Sequence, residues 1–261
     1  MNENRLFRFP GLGVSTFIFF IYLYAPIVVL VFLSFNANQQ ATIWTGFTTS
    51  WYGTVVANSD LMRAFKNSLT IAFTATIVST IIATLAALGT ARSRFRGQGA
   101  LSALIGLPLI VPEIVTAVAS LLFFVLIGLK LGLFTVMLAH IVFCIPFAYL
   151  PIRARLQDMD PTLEDAAMDL YADRVETFRR VTLPLLWPGV ISGAMLAFII
   201  SLDDFVITYF VSGPGATTLP IYIFGMIRIG ISPEVNAVSA LMLLISILFV
   251  ALSWSVGRTR K

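Results

Sequence analysis

Three carboxylates interrupt otherwise apolar segments of this sequence. Asp203 and Asp204 lie side by side in "SLDDFVITYF", and Glu113 lies within the apolar stretch 101–128. On insertion scales, each charge at the centre of a bilayer costs roughly 2.5–3.5 kcal/mol. No Lys or Arg lies in the same apolar segments. A salt bridge to Lys or Arg within these segments is therefore excluded, and we expect the balancing cation to come from elsewhere.

Unpaired acids inside a membrane usually mark a cation pathway when they face a cavity. Phe205 and Tyr209 share a helical face beside the aspartates, and aromatic faces attract ammonium groups. The predicted pathway residues are Glu113, Asp203, Asp204, Phe205 and Tyr209. Three alternatives stay open: the acids are protonated, are bonded to hydroxyls such as Thr208 or to backbone, or pair with a basic residue of a partner. Adjacent helical positions point about 100° apart, so both aspartates cannot face one cavity equally.

The composition is that of an integral membrane protein. Of the 261 residues, 58% are hydrophobic and only 11% are charged, with a mean hydropathy of +0.92. An all-α fold is predicted, because no stretch shows the alternating pattern of a membrane barrel. Six stretches are long enough to span a bilayer as helices. They are about 14–35, 67–91, 101–128, 131–152, 186–210 and 235–257.

The basic residues predict the orientation of these spans. All but four of the 17 Lys and Arg residues fall in one set of loops, which includes both termini. The other set holds Arg63, Lys66, Lys130 and Arg228. Cytoplasmic loops carry the excess of basic residues, so both termini should be cytoplasmic. The net charge of +4 has the same origin and indicates no affinity for nucleic acid.

The depth of the acids follows from helical geometry. Counted along continuous helices from Leu101 and Pro188, Glu113 and Asp203 should lie about 18 Å and about 22 Å from the cytoplasmic ends. All three carboxylates would then lie at a similar depth, between the middle of the membrane and its outer half.

The most polar segment is the cytoplasmic loop at about 153–185. Asp160 and Pro161 are typical of a helix start, and a helix is predicted from Thr162 to Tyr171. One narrow face carries small apolar residues at helical spacing, and the opposite face is acidic. Such a helix could rest on lipid headgroups or pack under its own bundle. Anionic lipid favours basic faces, however, and small residues suit insertion into a protein groove.

The sequence of this loop, "EDAAMDLYADRVETFRRVTLPLLWPG", resembles the EAA loop of permease subunits of ATP-binding-cassette importers. In that family the loop forms a coupling helix that docks into a cleft of a cytoplasmic ATPase. The resemblance assigns ATPase coupling to Glu164, Ala166, Ala167, Tyr171, Leu183 and Pro184. Tyr171 departs from the usual Gly, and Tyr does not readily adopt positive φ. We therefore expect the turn to be built differently, or by Ala172 and Asp173.

A second segment, "SLDDFVITYFVSGPGATTLPIYIFGMIRIGISPEVNA", is similar to the fifth-span region of the second permease subunit of spermidine/putrescine importers. The resemblance implies a type I importer permease: one transmembrane domain over residues 1–261, six helices and a bacterial inner membrane location. It also implies a polyamine cargo. The implied partners are a homologous permease, two ATPase subunits, an extracytoplasmic binding protein and membrane lipid.

The chain is not expected to be an enzyme. No G-x-x-x-x-G-K-[ST] motif is present, because none of the three lysines follows a Gly. The resemblance places ATP and Mg on the partner ATPase, with no cofactor in this chain.

Other functions compete with this one. The cargo could be another small solute, or the chain could be an ion-coupled secondary transporter, which also binds its cargo at mid-membrane. An intramembrane protease would need G-x-G-D or G-x-S-x-G, and neither occurs. His140 and Cys144 are spaced i, i+4, but two ligands do not make a metal site. We expect them to be packed core residues.

Overall fold

Helices form the fold throughout the part of the chain that the structure describes. The structure is a computed structural model, and it describes residues 12–40, 43–92, 95–230 and 232–258. In chain order the helices are α1 (Leu12–Leu33), α2 (Ser50–Ala57), α3 (Ser59–Arg92), α4 (Gln98–Ile110), α5 (Glu113–Leu126), α6 (Leu133–Gln157), α7 (Thr162–Asp169), α8 (Arg174–Thr177), a π-helical segment (Phe178–Thr182), α9 (Leu183–Asp203), α10 (Val206–Val211), α11 (Leu219–Ile229) and α12 (Pro233–Arg258).

The described residues form two compact units. One consists of those within Met1–Ser59 and Ile223–Ile245, and the other of those within Asp60–Tyr222 and Ser246–Lys261. In the first unit, the buried Asn36 organises the connection after α1. Its side chain donates to Ile43 O at 2.8 Å and accepts from Thr45 N at 3.2 Å. Its carbonyl accepts from Trp51 Nε1 at 2.8 Å, which ties α2 to this connection.

Among the residues that the structure describes, four helices are long and apolar enough to cross a membrane, and a bent pair would make a fifth span. The four are Gly13–Leu33, Ser59–Ala91, Leu133–Gln157 and Arg174–Asp203. They overlap with four of the six predicted spans, although their ends differ. The predicted sixth span falls on α12, whose described side chains end at Leu248. The terminal residues Arg5, Arg8, Arg260 and Lys261 lie outside the described residues.

The prediction of a continuous third span over 101–128 is wrong. The chain ends α4 at Ile110 and begins α5 at Glu113, and the two helix axes differ by 110°. Pro112 causes the bend, because proline disfavours the helical conformation of the residue before it. Val111 is accordingly extended, with φ −75° and ψ 131°. The predicted depth of Glu113 in the membrane is wrong as well, because it was counted along a straight helix.

The fifth span also differs from its prediction. Helix continues from Arg174 through the π segment to Asp203, rather than over 186–210. Pro184 cannot donate a backbone hydrogen bond. The π segment ends two residues before Pro184, and Leu183 N donates to Phe178 O, five residues back. This wider turn accommodates the proline without ending the helix.

Helices α6 and α9 pack antiparallel at very short range in the second unit. A Cβ at Gly193 would lie 2.5 Å from Ala148 O, and one at Gly189 would lie 2.6 Å from Arg155 Cβ. Small residues four apart allow two membrane helices to approach this closely. One turn further along, Cys144 Sγ lies 3.5 Å from Ala197 O, and after another turn His140 faces Ser201. The close approach therefore fixes the register of the two helices as far as His140.

The helix predicted in the polar loop is present as α7. Asp160 Oδ1 accepts from Thr162 N at 2.9 Å and from Thr162 Oγ1 at 2.8 Å. These bonds hold the pKa of the exposed Asp160 carboxyl below its usual value. The residue therefore caps the helix start, as the sequence predicts.

The expectation that Tyr171 avoids positive φ is wrong. Tyr171 has φ +68°, and for this reason the helix ends at Asp169 rather than continuing to Tyr171. The amide of Ala172 donates to Ala167 O at 3.1 Å, and that of Tyr171 donates to Met168 O at 3.0 Å. These are the two bonds of a Schellman motif, in which glycine usually occupies the left-handed position. Tyr171 makes the turn itself.

We expect Tyr171→Gly to stabilise the chain. The left-handed conformation costs a non-glycine residue roughly 1–2 kcal/mol, and part of this gain is offset by the greater freedom of Gly in the unfolded chain. The side chain is 98% exposed, so its loss removes no packing within the chain. The free energy of unfolding should rise by about 1 kcal/mol, measured by chemical denaturation of the purified chain in detergent.

Leu170→Gly is the matched control. Leu170 is also exposed but has φ −85°, so glycine relieves no strain there and should lower stability. A lower stability of Tyr171→Gly than of the unmodified chain would contradict the assignment of strain to this position.

Candidate functional site

A break in a helix places the two aspartates in different environments. α9 ends at Asp203, α10 begins at Val206, and Asp204 lies between them with ψ 126°. The carboxylate of Asp204 turns toward the new helix. Its Oδ1 accepts from Ile207 N at 3.3 Å, and its Oδ2 accepts from Thr208 N at 2.9 Å and from Thr208 Oγ1 at 2.8 Å. Asp204 thus satisfies the amides at the start of α10, which have no partner within that helix.

His140 on α6 completes the surroundings of Asp204. Its Nε2 lies 3.1 Å from Asp204 Oδ2 and 2.9 Å from Thr208 Oγ1, and its Nδ1 lies 2.8 Å from Ser201 Oγ. The side chains of His140 and Asp204 are each 1% exposed. The expectation that every acid must find its partner outside the chain is therefore wrong for Asp204. The alternative of bonds to Thr208 and backbone is what the structure contains.

His140 is packed in the core, as the sequence predicts, but it is more than a packing residue. Cys144 is fully buried one turn further along α6, with its sulfur against Ala197 O. Within the described ranges, no three His, Cys, Asp or Glu side chains are grouped so that they could hold a metal ion. The i, i+4 pair therefore marks a hydrogen-bonded histidine next to a buried thiol.

Asp203 and Glu113 are placed differently from Asp204. Both are exposed at the surface of this chain. Glu113 is the first residue of α5, where a carboxylate is favoured by the helix dipole. Its carboxyl lies close enough to those of Asp204 and Asp203 for their charges to act on it. The three predicted acids are thus brought together, although the fold separates them by burial.

The predicted aromatic residues lie beside these acids. The rings of Phe205 and Tyr209 are 5.3 Å apart between centroids, with an interplanar angle of 31°. Tyr209 is about half exposed, with 49% of its surface accessible. Phe205 lies in the break itself and Tyr209 lies in α10, so the ring pair follows directly after the end of α9.

Sequence reasoning missed the residues that hold the chain after α10. Asn67, at the start of the second apolar stretch, donates from its side-chain amide to Gly215 O and to Thr217 O, both at 2.9 Å. The neighbouring Ser68 Oγ accepts from Leu219 N at 2.8 Å. The only sequence signal for this contact is an Asn-Ser pair ahead of an apolar run.

A second attachment comes from the first turn of α6 and from the loop before it. Thr135 Oγ1 donates to Val211 O at 2.8 Å. A Cβ on Gly213 would lie 2.0 Å from Leu131 O, so only glycine allows this approach. Residues 212–218 form no helix, and α11 follows them. Both ends of α10 are therefore fastened to neighbouring helices.

The residues assigned to coupling lie on the polar loop and at the start of α9. Thr182 Oγ1 donates to Glu164 Oε1 at 2.6 Å, which anchors α7 to the π segment. Ala166 is exposed, Ala167 is half-buried, and Tyr171 is exposed. Leu183 and Pro184, half-buried and exposed respectively, begin α9. Leu163 of α7 and Leu170, the residue after its end, are 46% and 81% exposed, so α7 does not bury this face under its own bundle.

Comparison with known proteins gives consistent results. Residues 79–261 match the family described as "Binding-protein-dependent transport system inner membrane component". The chain is 41% identical over 250 residues to the putrescine transport system permease protein PotI of Escherichia coli (strain K12), covering 93% of this chain and 89% of that protein. It is 40% identical over 251 residues to the spermidine/putrescine transport system permease protein PotC of Haemophilus influenzae, covering 96% and 98%.

A solved structure shares the fold. A chain of a bacterial ABC transporter involved in the import of the acidic polysaccharide alginate aligns with a TM-score of 0.74 at 18% identity. The alignment covers 96% of this chain and 95% of that one. At this identity the likeness concerns the fold alone.

Proposed function

This chain belongs to the family of inner membrane components of binding-protein-dependent transport systems. From that premise we propose that it is a permease subunit of an ATP-driven importer whose cargo is a polyamine. The names of its relatives support the class of cargo. The single observation that carries the proposal is the exposed Asp203, which takes no part in the bonds that satisfy Asp204 and is followed two residues later by the first of the paired Phe205 and Tyr209 rings.

The proposed assembly contains more than this chain. A homologous permease supplies the second half of the pathway, two ATPase subunits bind ATP and Mg, and an extracytoplasmic binding protein delivers the cargo. The family description supports the binding protein. The distribution of basic residues supports six spans with both termini in the cytoplasm. The ATPase cycle then moves the two permeases between inward-open and outward-open states.

The chemistry of the site suits a polycation. A polyamine carries ammonium groups spaced along a flexible apolar chain. Asp203 and Glu113 offer carboxylate oxygens at the surface of this chain, and the neighbouring ring pair offers aromatic faces, which attract ammonium groups. No Lys or Arg lies within the same apolar stretches to compete for these acids. Asp204 contributes through its charge and its position, because its oxygens already accept bonds from the protein.

An ion-coupled secondary transporter would also place acids at a broken helix. It has no need of an uncovered amphipathic helix on the cytoplasmic side. The exposed apolar face of α7 therefore favours the importer.

Asp203→Asn is expected to reduce polyamine uptake at least tenfold. The amide keeps the shape of the side chain and removes its charge, and a tenfold loss corresponds to about 1.4 kcal/mol of transition-state stabilisation. Assembly should be unchanged, because the exposed side chain ends α9 without burial. The measurement is uptake of radiolabelled putrescine and spermidine by proteoliposomes that contain the complete complex.

The control is Asp60→Asn, which removes an exposed acid near the start of α3, where it pairs with Arg63 at 3.6 Å. Exposed pairs of this kind contribute little, so uptake should stay within twofold. Native uptake by Asp203→Asn would remove the main support for a polycation pathway.

Ala166→Trp tests the proposed coupling role of α7. Ala166 is exposed, so the larger ring should be accommodated by this chain, but it should overfill a groove on an ATPase. We expect normal insertion into the membrane, loss of the ATPase on co-purification, and loss of uptake. Ala166→Ser keeps the small size and should retain both. A fully assembled and active Ala166→Trp complex would show that this face of α7 does not dock.

A further inference from the structure

His140 connects three residues on both sides of the helix break. Its Nδ1 contacts Ser201 on α9, two residues before the end of that helix. Its Nε2 contacts Asp204 in the break and Thr208 in the first turn of α10. With 1% exposure, the ring has no access to a cargo molecule. Any part that it plays in transport must act through the residues that it holds.

The hydrogen-bond network indicates that Nε2 of the ring carries a hydrogen. The Thr208 hydroxyl donates its hydrogen to Asp204 Oδ2, so its oxygen can accept from the ring. Asp204 Oδ2 can accept as well. Both contacts of Nε2 are therefore to acceptors, and Nε2 must carry a hydrogen. Nδ1 bonds independently to the Ser201 hydroxyl.

The register of α6 and α9 makes this contact possible. Gly193 against Ala148, Cys144 against Ala197, and His140 against Ser201 are successive contacts one turn apart along the antiparallel pair. The imidazole is the last of these contacts, and it extends beyond Ser201 into the break. It meets Asp204 in the break, after α9 has ended and before α10 begins.

The orientation of the exposed acid depends on this contact. Asp203 and Asp204 are adjacent, so the backbone that directs Asp204 toward His140 also directs Asp203 away from it. The Phe205 and Tyr209 rings leave from the same short segment. Fixing Asp204 therefore fixes the direction of the residues that would meet the cargo.

We propose that His140 is a positioning residue for transport: through its Nε2 it holds Asp204 in the break, and thereby sets the placement of Asp203 and of the ring pair. This inference rests on the proposed function. It adds to the pathway a residue that never touches the cargo and that acts through one identified atom.

Two amide variants separate the two ring nitrogens. The Gln side chain can place an N–H near the position of Nε2, whereas the shorter Asn side chain reaches only the position of Nδ1. His140→Gln should therefore keep the bond to Asp204, and His140→Asn should keep only the bond to Ser201. Both replace a buried polar ring by a smaller polar group, so their general effects on packing are matched.

The experiment measures the initial rates of radiolabelled putrescine and spermidine uptake by the complete complex in proteoliposomes, normalised to the assembled complex. We expect His140→Asn to raise the apparent KM at least tenfold and His140→Gln to raise it less than threefold. Cys144→Ala, one turn along α6 and outside the network, should leave the KM within twofold of the native value. A residue that only packs would change the amount of complex and leave the KM unchanged.

Several results would overturn the proposal. They are a native KM for His140→Asn, or an equal rise in KM for both amide variants. Should His140→Asn not assemble, Thr208→Val takes its place, because it keeps the shape of the side chain and removes the hydroxyl that bonds to both His140 and Asp204. A native KM in that variant would also overturn the proposal.

Asp203→Asn is measured in parallel. If Asp203→Asn loses uptake while the His140 variants keep a native KM, only the positioning role is rejected. A native complex that takes up neither polyamine rejects both.

Discussion

A carboxylate buried among apolar helices must find hydrogen-bond donors inside the protein, and the arrangement of this site follows from how Asp204 finds them. Water is excluded, and an unsatisfied buried charge costs several kcal/mol. The solution is to interrupt the helix. Ending α9 at Asp203 frees the first amides of α10, and Asp204 accepts from two of them and from the Thr208 hydroxyl. His140 supplies the remaining donor from α6.

The surrounding fold holds that interruption in place. The close approach of α6 and α9 at Gly189 and Gly193 sets the register that brings His140 to the break. Beyond α10, Thr135 binds Val211 O, and Asn67 binds two carbonyls of the following segment. α10 is a helix of only six residues, too short to be stable alone, so these contacts at both of its ends define its position. The positions of the exposed Asp203 and of the aromatic pair therefore depend on the position of α10.

Part of this arrangement could be predicted from the sequence. The apolar stretches predict four of the long helices, because length and hydropathy are local properties. The cap at Asp160 and the bond between Asp204 and Thr208 involve neighbours in the chain, and both are within the scope of sequence reasoning. The bend at Pro112 also has a local cause, but the apolar composition on either side obscured it. The partner of Asp204 was missed because His140 lies 64 residues earlier in the sequence, and only the packing register of two helices brings it near. Tyr171 was misjudged because intrinsic preference opposes positive φ, while the Schellman bonds of the surrounding turn impose it.

In our proposal the two aspartates have different roles: the protein satisfies the hydrogen-bonding needs of Asp204, and Asp203 binds the cargo. The most direct test is an experimental structure of the assembled transporter with a bound polyamine. We expect an ammonium nitrogen within salt-bridge distance of Asp203, with Asp204 still bonded to His140 and Thr208. An ammonium group bound to Asp204 in place of His140, or a polyamine bound away from both aspartates, would contradict it.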